Sequence, residues 1–179
     1  MNVAVLLADG FEEIEALTSI DVLRRAGFNT KTLALKDIKV TGANNVAIEA
    51  DTLLSDEVAS EFDLLVLPGG LPGAEHLRDD VRVMDMLSRH YKAGKHVAAI
   101  CAAPIALAKA GVLEGKKATC YPGFEEQLTG ANTVEDRVVV DGKVITSKGP
   151  GTSLEFALTL VKELKGQEAR DELAAGMIF

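Results

Sequence analysis

The stretch His96–Ala110, HVAAI-C-AAPIALAKA, decides how this chain is read. An apolar strand pattern stops at one cysteine, Cys101, and a helical pattern with Pro104 near its start follows at once. A strand that turns straight into a helix strains the residue between them. Only small side chains then fit two places before and two places after it. Here those places hold Ala99 and Ala103, the same steric demand that glycines meet in the G-x-S-x-G elbow of serine hydrolases. The turn sets Cys101 at a helix N-terminus, whose partial positive charge is expected to lower a thiol pKa toward the reactive thiolate. A lone cysteine at a strand end is ordinarily just buried packing. The small flanks and the adjoining helix favour a nucleophile instead.

Working outward, short β-branched runs alternate with helical patterns along the whole chain. Strands are expected at Val3–Ala8, Thr30–Leu35, Leu64–Leu67 and Val97–Ile100, with a weaker one near Ala118. Helices are expected at Glu12–Ala26, Val81–Lys92, Pro104–Ala110 and Leu154–Lys165. Strands that read as continuous apolar runs between helices indicate an α/β fold with a mostly parallel sheet covered on both faces. Arg137–Thr146 differs: RVVV, then Asp141-Gly142, then KVIT predicts a β-hairpin with a type I′ turn. A second antiparallel excursion is expected around Val40–Ile48. In open sheets of this kind, sites form beyond the carboxyl ends of the strands, where Cys101 belongs.

The 179 residues suit a single domain, 1–179, with a sizeable core and no Pro/Gly/Ser-rich linker. With 19 basic and 27 acidic residues, the formal charge of −8 leaves no basic footprint for nucleic acid or an anionic membrane. No apolar run approaches membrane length, and Met1 leads directly into an apolar strand without a basic leader. Two cysteines without framework spacing point to free thiols in a reducing compartment. The expected location is the cytoplasm.

Three further stretches are expected to converge on Cys101. Leu67-Pro68-Gly69-Gly70 closes a strand, and its two glycines leave backbone N–H groups open to an incoming oxygen, with the Ala102 N–H as partner. A plain turn explains the same residues structurally. No G-x-x-x-x-G-K-[ST] is present, so a phosphate loop and kinase chemistry are rejected.

In Asp9-Gly10-Phe11-Glu12-Glu13-Ile14-Glu15, acids in a first helical turn complement the dipole and need no function. Glu15 is different, because at about 100° per residue it projects between Val22 and Ala26 on an apolar stripe. A carboxyl held there is desolvated and its pKa raised, which suits a proton donor or shuttle beside a thiol. Glu12 falls near the same stripe but can swing outward at the helix end. The helix is also apolar most of the way round, so a homodimer through Glu12–Ala26 is expected. Lys148-Gly149-Pro150-Gly151 completes the set, with Pro150 lining the site, and Thr152 to Glu155 reads as a capping box.

Cysteine hydrolases ordinarily use a histidine, and the chain has only His76, His90 and His96. His96 opens the strand that Cys101 ends, roughly 16 Å away at about 3.3 Å per residue. His90 lies at that same wrong end. His76 is the one that could approach, although a solvent-facing helix position accounts for it better. No Cys–His pair is secured.

GFEEIEAL, IDVLRRAGF, VLPGG, AAICAAPIAL and DGKVITSKGPGTSLEFAL, in this order and spacing, resemble the ThiJ/PfpI superfamily of class I glutamine amidotransferase-like fold. The similarity is to its Parkinson-disease-associated deglycase branch and runs nearly end to end. It implies a flavodoxin-like three-layer α/β/α sandwich and a homodimer. It also implies Cys101 as reactive nucleophile, Glu15 as the acid bonded to it, and Gly69, Gly70 and Ala102 around them. Members are credited with glyoxalase activity on methylglyoxal and with removing glyoxal adducts from proteins and nucleotides. They are also described as oxidative-stress proteins whose cysteine becomes a sulfinate, and as chaperones. No metal or organic cofactor is implied.

The chain departs from that pattern in three places. Protease-like members carry histidine directly after the cysteine, where this chain has Ala102, so peptidase activity is not expected. The branch often has T-H-P after the next strand. Here the segment is Thr119-Cys120-Tyr121-Pro122, and Tyr121 is a poor base at neutral pH but a serviceable hydrogen-bond donor. Turnover is expected to be weak or to rest on Glu15 alone. Cys120 becomes a candidate resolving cysteine, with plain packing as the alternative. Asn44 stands about where the branch's partner-donated basic residue belongs. Two functions stay open: a cofactor-free α-oxoaldehyde enzyme, and a non-catalytic redox sensor or stress chaperone in which Cys101 is oxidised.

Overall fold

The computed structural model describes residues 1–54 and 62–179. Its strands are β1 (Asn2–Leu7), β2 (Asn29–Ala34), β3 (Lys39–Thr41), β4 (Ala47–Glu49), β5 (Thr52–Leu53), β6 (Leu64–Leu67), β7 (His96–Ile100), β8 (Lys117–Ala118), β9 (Asn132–Thr133), β10 (Val138–Asp141) and β11 (Val144–Ser147). Its helices are α1 (Glu13–Arg25), α2 (Gly73–Asp79), α3 (Val81–Lys92), α4 (Pro104–Lys109), α5 (Ser153–Lys165) and α6 (Gln167–Gly176). The main sheet has seven strands in the order β10-β11-β7-β6-β1-β2-β5. All neighbours run parallel except β10 and β11, which form the expected antiparallel hairpin.

Strands β6 and β1 are buried throughout apart from Asn2 at one tip, which is why they read as unbroken apolar runs. Helices α1, α5 and α6 pack together, as do α2, α3 and α4, and the two groups cover the sheet as a flavodoxin-like α/β/α sandwich. Each fully buried Leu or Val contributes about 1.5–3 kcal/mol by leaving water, so sheet order follows from burying the most apolar strands at the centre. The chain proceeds from β1 outward to β2, then returns to β6 on the other side of β1. That reversal is the switch point at which open α/β sheets bind ligands.

Several local expectations are corrected. The β10–β11 loop is Gly142–Lys143, since Asp141 pairs with Val144. Of these two residues only Gly142 has positive φ, the pattern of a type II′ turn rather than type I′. The Thr152–Glu155 capping box does not form. The Thr152 hydroxyl instead accepts from the Gly149 N–H and lies 2.6 Å from the Ser147 hydroxyl. Glu155 pairs with Arg137 across 2.7 Å. Helices α2 and α6 had no sequence counterpart: α2 starts just after a Gly-Gly turn, and α6 exposes most of its residues. The antiparallel excursion is present, with Val40 facing Ile48 in the β3–β4 hairpin.

Candidate active site

Cys101 occupies a three-residue turn between β7 and α4 with φ of +65°, a left-handed conformation that a non-glycine residue adopts at a cost of about 1–2 kcal/mol. Two hydrogen bonds hold it there. The Cys101 N–H donates to the Ser147 carbonyl at the end of β11 (2.9 Å), and its carbonyl accepts from the Tyr121 N–H (2.8 Å). Ala99 and Ala103, the small flanks, are both fully buried. The elbow read from the sequence is therefore real, though α4 begins three residues after the cysteine rather than at once.

Glu15 enters from α1, which follows β1, and is 0 % exposed. Its Oε2 accepts from the Gly69 N–H at 2.7 Å. The Cys101 thiol interacts with the same carboxyl group, while Oε1 is buried without a fully formed hydrogen bond. Burial pushes the Glu15 carboxyl up to about 7; the Gly69 N–H and Cys101 hold it back, and the charge of Glu12 raises it further. A Cβ on Gly69 would lie 2.6 Å from the Cys101 Cβ and 2.7 Å from Glu15 Oε2. Only glycine lets the β6 terminus approach both groups. Gly70 has φ of +84°, and a Cβ there would sit 2.4 Å from the Glu12 nitrogen. The Gly70 and Ala102 N–H groups both act to lower the Cys101 pKa, whereas the Gly69 N–H, expected to face an incoming oxygen, is taken by Glu15.

The expected thiolate does not follow from the helix terminus. Cys101 is 8 % exposed, and burial pushes its thiol up to about 12, with the Glu15 charge and hydrogen bond adding to the rise. Helix α4 has only six residues, too short to overcome that desolvation. Glu15 and Cys101 cannot both be ionised at neutral pH. Thiolate becomes affordable only when Glu15 carries the proton, because the charge repulsion then disappears.

The remaining candidates separate. Tyr121, 47 % exposed, lays its ring beside Gly149, where an added Cβ would be 3.1 Å from the ring. Pro150 follows in the adjoining 3₁₀ turn. Cys120 is buried, and its thiol is pushed up to about 11 by burial and by Glu125 and Glu135, against Lys148. Those charges are not the ones acting on Cys101, and both cysteines are free. His90 is buried and bonded through Nε2 to the His96 carbonyl (3.0 Å), and burial with Lys95 pushes it down to about 4. His76 contacts the Asp9 carbonyl at 3.1 Å. No histidine contacts Cys101 or Glu15 among the described residues.

Sequence reading missed Glu13. Its buried carboxylate accepts from the Asn44 N–H (2.7 Å), the Asn44 side chain (3.0 Å) and the Val46 N–H (3.3 Å), clamping the β3–β4 loop onto α1. These bonds hold its pKa down in spite of burial. Asn44 is thereby tied to α1 of the same chain. A first-turn acid looks the same in sequence whether it faces water or a loop 31 residues away, so no local signal distinguished it.

Comparison with known proteins agrees with this geometry. Residues 1–163 match the DJ-1/PfpI family. The chain is 45% identical over 181 residues to "Protein DJ-1 homolog B" of Arabidopsis thaliana, covering 99% of this chain and 41% of that protein. It spans less than half the length of the two Arabidopsis relatives it matches. It is 44% identical over 177 residues to "Protein dj-1beta" of Drosophila melanogaster, covering 97% of this chain and 95% of the other. It is 35% identical over 164 residues to "Glutathione-independent glyoxalase DJR-1.2" of Caenorhabditis elegans, covering 90% and 87%. Among solved structures, oxidized Toxoplasma gondii DJ-1 superposes with a TM-score of 0.94 at 39% identity, covering 99% of this chain and 98% of that one. Fold, elbow and matched sequence agree: the chain belongs to the DJ-1/PfpI family.

Proposed function

We propose that the chain is a cysteine-dependent, cofactor-free glyoxalase or deglycase acting on methylglyoxal or on glyoxal adducts of proteins and nucleotides. The observation that carries the reading is the buried Glu15 carboxyl, held on the Gly69 N–H at 2.7 Å against Cys101, with a pKa of about 7. A group that gains and loses a proton near neutral pH suits general acid–base work. The glyoxalase name of the C. elegans relative supports the same class.

The Cys101 proton passes to Glu15 as sulfur adds to the aldehyde carbon, and the resulting oxyanion takes that proton to give a hemithioacetal. The Gly70 and Ala102 N–H groups stabilise the oxyanion. Ionised Glu15 then removes the proton from that carbon to give an enediol and returns a proton to the neighbouring carbon, while the hydroxyl proton passes to the neighbouring oxygen, leaving a hydroxy thioester. Water releases the hydroxy acid and restores the thiol, so methylglyoxal and water become lactate without net oxidation. No described histidine shares this work, so turnover rests on Glu15 and is weak. Methylglyoxal consumption with lactate detection tests the reading. Loss of turnover in both Cys101→Ser and Glu15→Gln supports it, and a native chain at background overturns it.

A redox-sensing or stress-chaperone role is the alternative. It is favoured by the Gly70 and Ala102 N–H groups, which favour negative charge on Cys101 and would equally suit the oxygens of an oxidised Cys101. The absence of a histidine partner points the same way. A homodimer through α1 is part of the proposal: Ile14 is 55 % and Leu17 41 % exposed on this helix, with Val46 exposed nearby on the loop that Glu13 clamps. No described helix is long and apolar enough to cross a membrane. We place the protein in the cytoplasm on its two free thiols.

A further inference from the structure

We infer that Thr152 is a positioning residue for Cys101: its buried hydroxyl, acting through Ser147 and Gly149, holds the nucleophile in its left-handed turn. The assignment rests on Cys101 being the nucleophile of the reading above. Cys101 has φ of +65°, a conformation that a residue with a Cβ keeps only where its surroundings enforce it. Two backbone bonds enforce it, one to the Ser147 carbonyl and one from the Tyr121 N–H. Each arrives from a segment beyond a strand end, so those segments must themselves be fixed.

Thr152 reaches both. It directly precedes α5, yet its hydroxyl gives that helix no capping bond. The hydroxyl turns inward instead, and both Thr152 and Ser147 are buried. Ser147 Oγ donates its single hydroxyl hydrogen to the Arg137 carbonyl at 2.8 Å. Across their 2.6 Å contact Thr152 is therefore the donor and Ser147 the acceptor. The Gly149 carbonyl, also 2.8 Å from the Thr152 hydroxyl, already accepts the Thr152 N–H at 2.8 Å. Thr152 Oγ1 accepts in turn from the Gly149 N–H at 3.1 Å. Gly149 is the seat of the Tyr121 ring. The contacts close on themselves: Cys101 to Ser147, Ser147 to Thr152, Thr152 to Gly149, Gly149 to Tyr121, and Tyr121 back to Cys101. Without the Thr152 hydroxyl, Ser147 and Gly149 lose their common partner and both holds on Cys101 loosen.

Thr152→Val keeps the branched shape and removes the hydroxyl, whereas Thr152→Ser keeps the hydroxyl. Ser147→Ala removes the partner but leaves the carbonyl that holds Cys101. Amide hydrogen exchange of the folded proteins, followed by NMR, reads each backbone bond separately. The Cys101 and Tyr121 amides should exchange about tenfold faster or more in Thr152→Val and Ser147→Ala, and at the native rate in Thr152→Ser. The Thr119 amide, held independently by Thr146 Oγ1 at 2.9 Å, should not change. In the same two variants kcat for methylglyoxal should fall about tenfold to 100-fold, the scale of a misplaced reacting group, with KM nearly unchanged. Native exchange at Cys101 in Thr152→Val overturns the assignment; if that variant does not fold, native exchange in Ser147→Ala does so. Faster exchange confined to Gly149 and the first turn of α5 overturns it too, as does faster exchange at Cys101 with native kcat. A native chain without turnover refutes the glyoxalase reading alone, and the exchange rates then decide the role of Thr152 by themselves.

Discussion

Replacing Glu15 with glutamine should make the protein more stable as pH rises, by an amount calculable from the site. The carboxyl is displaced from 4.5 to about 7, chiefly by burial. At about 1.4 kcal/mol per tenfold change in proton affinity, ionising it in the fold costs about 3 kcal/mol more than in the unfolded chain. The sign follows from proton binding. The folded state holds this proton more tightly, so the stabilisation is fully present below 4.5 and is lost as pH rises through about 7. Glutamine keeps an oxygen for the Gly69 N–H and cannot ionise. The variant should therefore gain about 2–3 kcal/mol over the native chain between roughly pH 5 and pH 8. His90 works in the opposite sense: burial depresses it to about 4, so its contribution is present above its unfolded value and lost as pH falls. Both chains carry His90, and it cancels in the difference. Urea unfolding of both chains at the two pH values measures the gap. A gap equal at both, within about 0.5 kcal/mol, would mean that Glu15 ionises as easily folded as unfolded and would refute its desolvation.

Gly69→Ala puts a Cβ 2.6 Å from that of Cys101 and 2.7 Å from Glu15 Oε2. It should cost about 1–3 kcal/mol of stability and about 100-fold in turnover, seen together by thermal melts and lactate release; near-native activity would contradict the close approach. Leu17→Glu places a charge on the exposed apolar face of α1 and should shift sedimentation from dimer to monomer while leaving circular dichroism unchanged. If the native chain already sediments as a monomer, the α1 dimer is wrong. His90, with Nε2–H donated to the His96 carbonyl, should keep a neutral ring signal by NMR from about pH 8 down to about pH 5. A midpoint near the ordinary 6.5 would show it hydrated.

Much of the architecture was legible because its causes are local. Strands β6 and β7 appear in the sequence as apolar runs because both faces are covered, and α3 matches its expected span, Val81–Lys92, because its amphipathic period is strong. The elbow was legible from Ala99 and Ala103, since steric limits around a strained turn act within two residues. The hairpin at Arg137–Thr146 was legible, but its turn type was not. Register across β10 and β11 decides which two residues form the loop, and Asp141 went into the ladder. Thr152 had the right spacing for a cap on Glu155, but Ser147 and Gly149 offered its hydroxyl nearer partners.

The sequence by itself determined the alternation of β1, β2, β6 and β7 with α1, α3, α4 and α5, the turn at the cysteine and the pair of glycines near it, because backbone conformation and side-chain size operate over a few residues. Only the tertiary structure decided the ionisation of the site. Glu12, Glu13 and Glu15 are one residue type within four positions, yet one is lowered and two are raised. Glu13 meets three donors from the β3–β4 loop, Glu15 meets one from Gly69 in a fully buried place, and Glu12 lies half in water. Cys101 likewise sits before a helix, as its sequence indicated, but burial and the Glu15 charge outweigh six residues of dipole. Charge responds to everything packed around it, and that packing is assembled from strands distant in the chain.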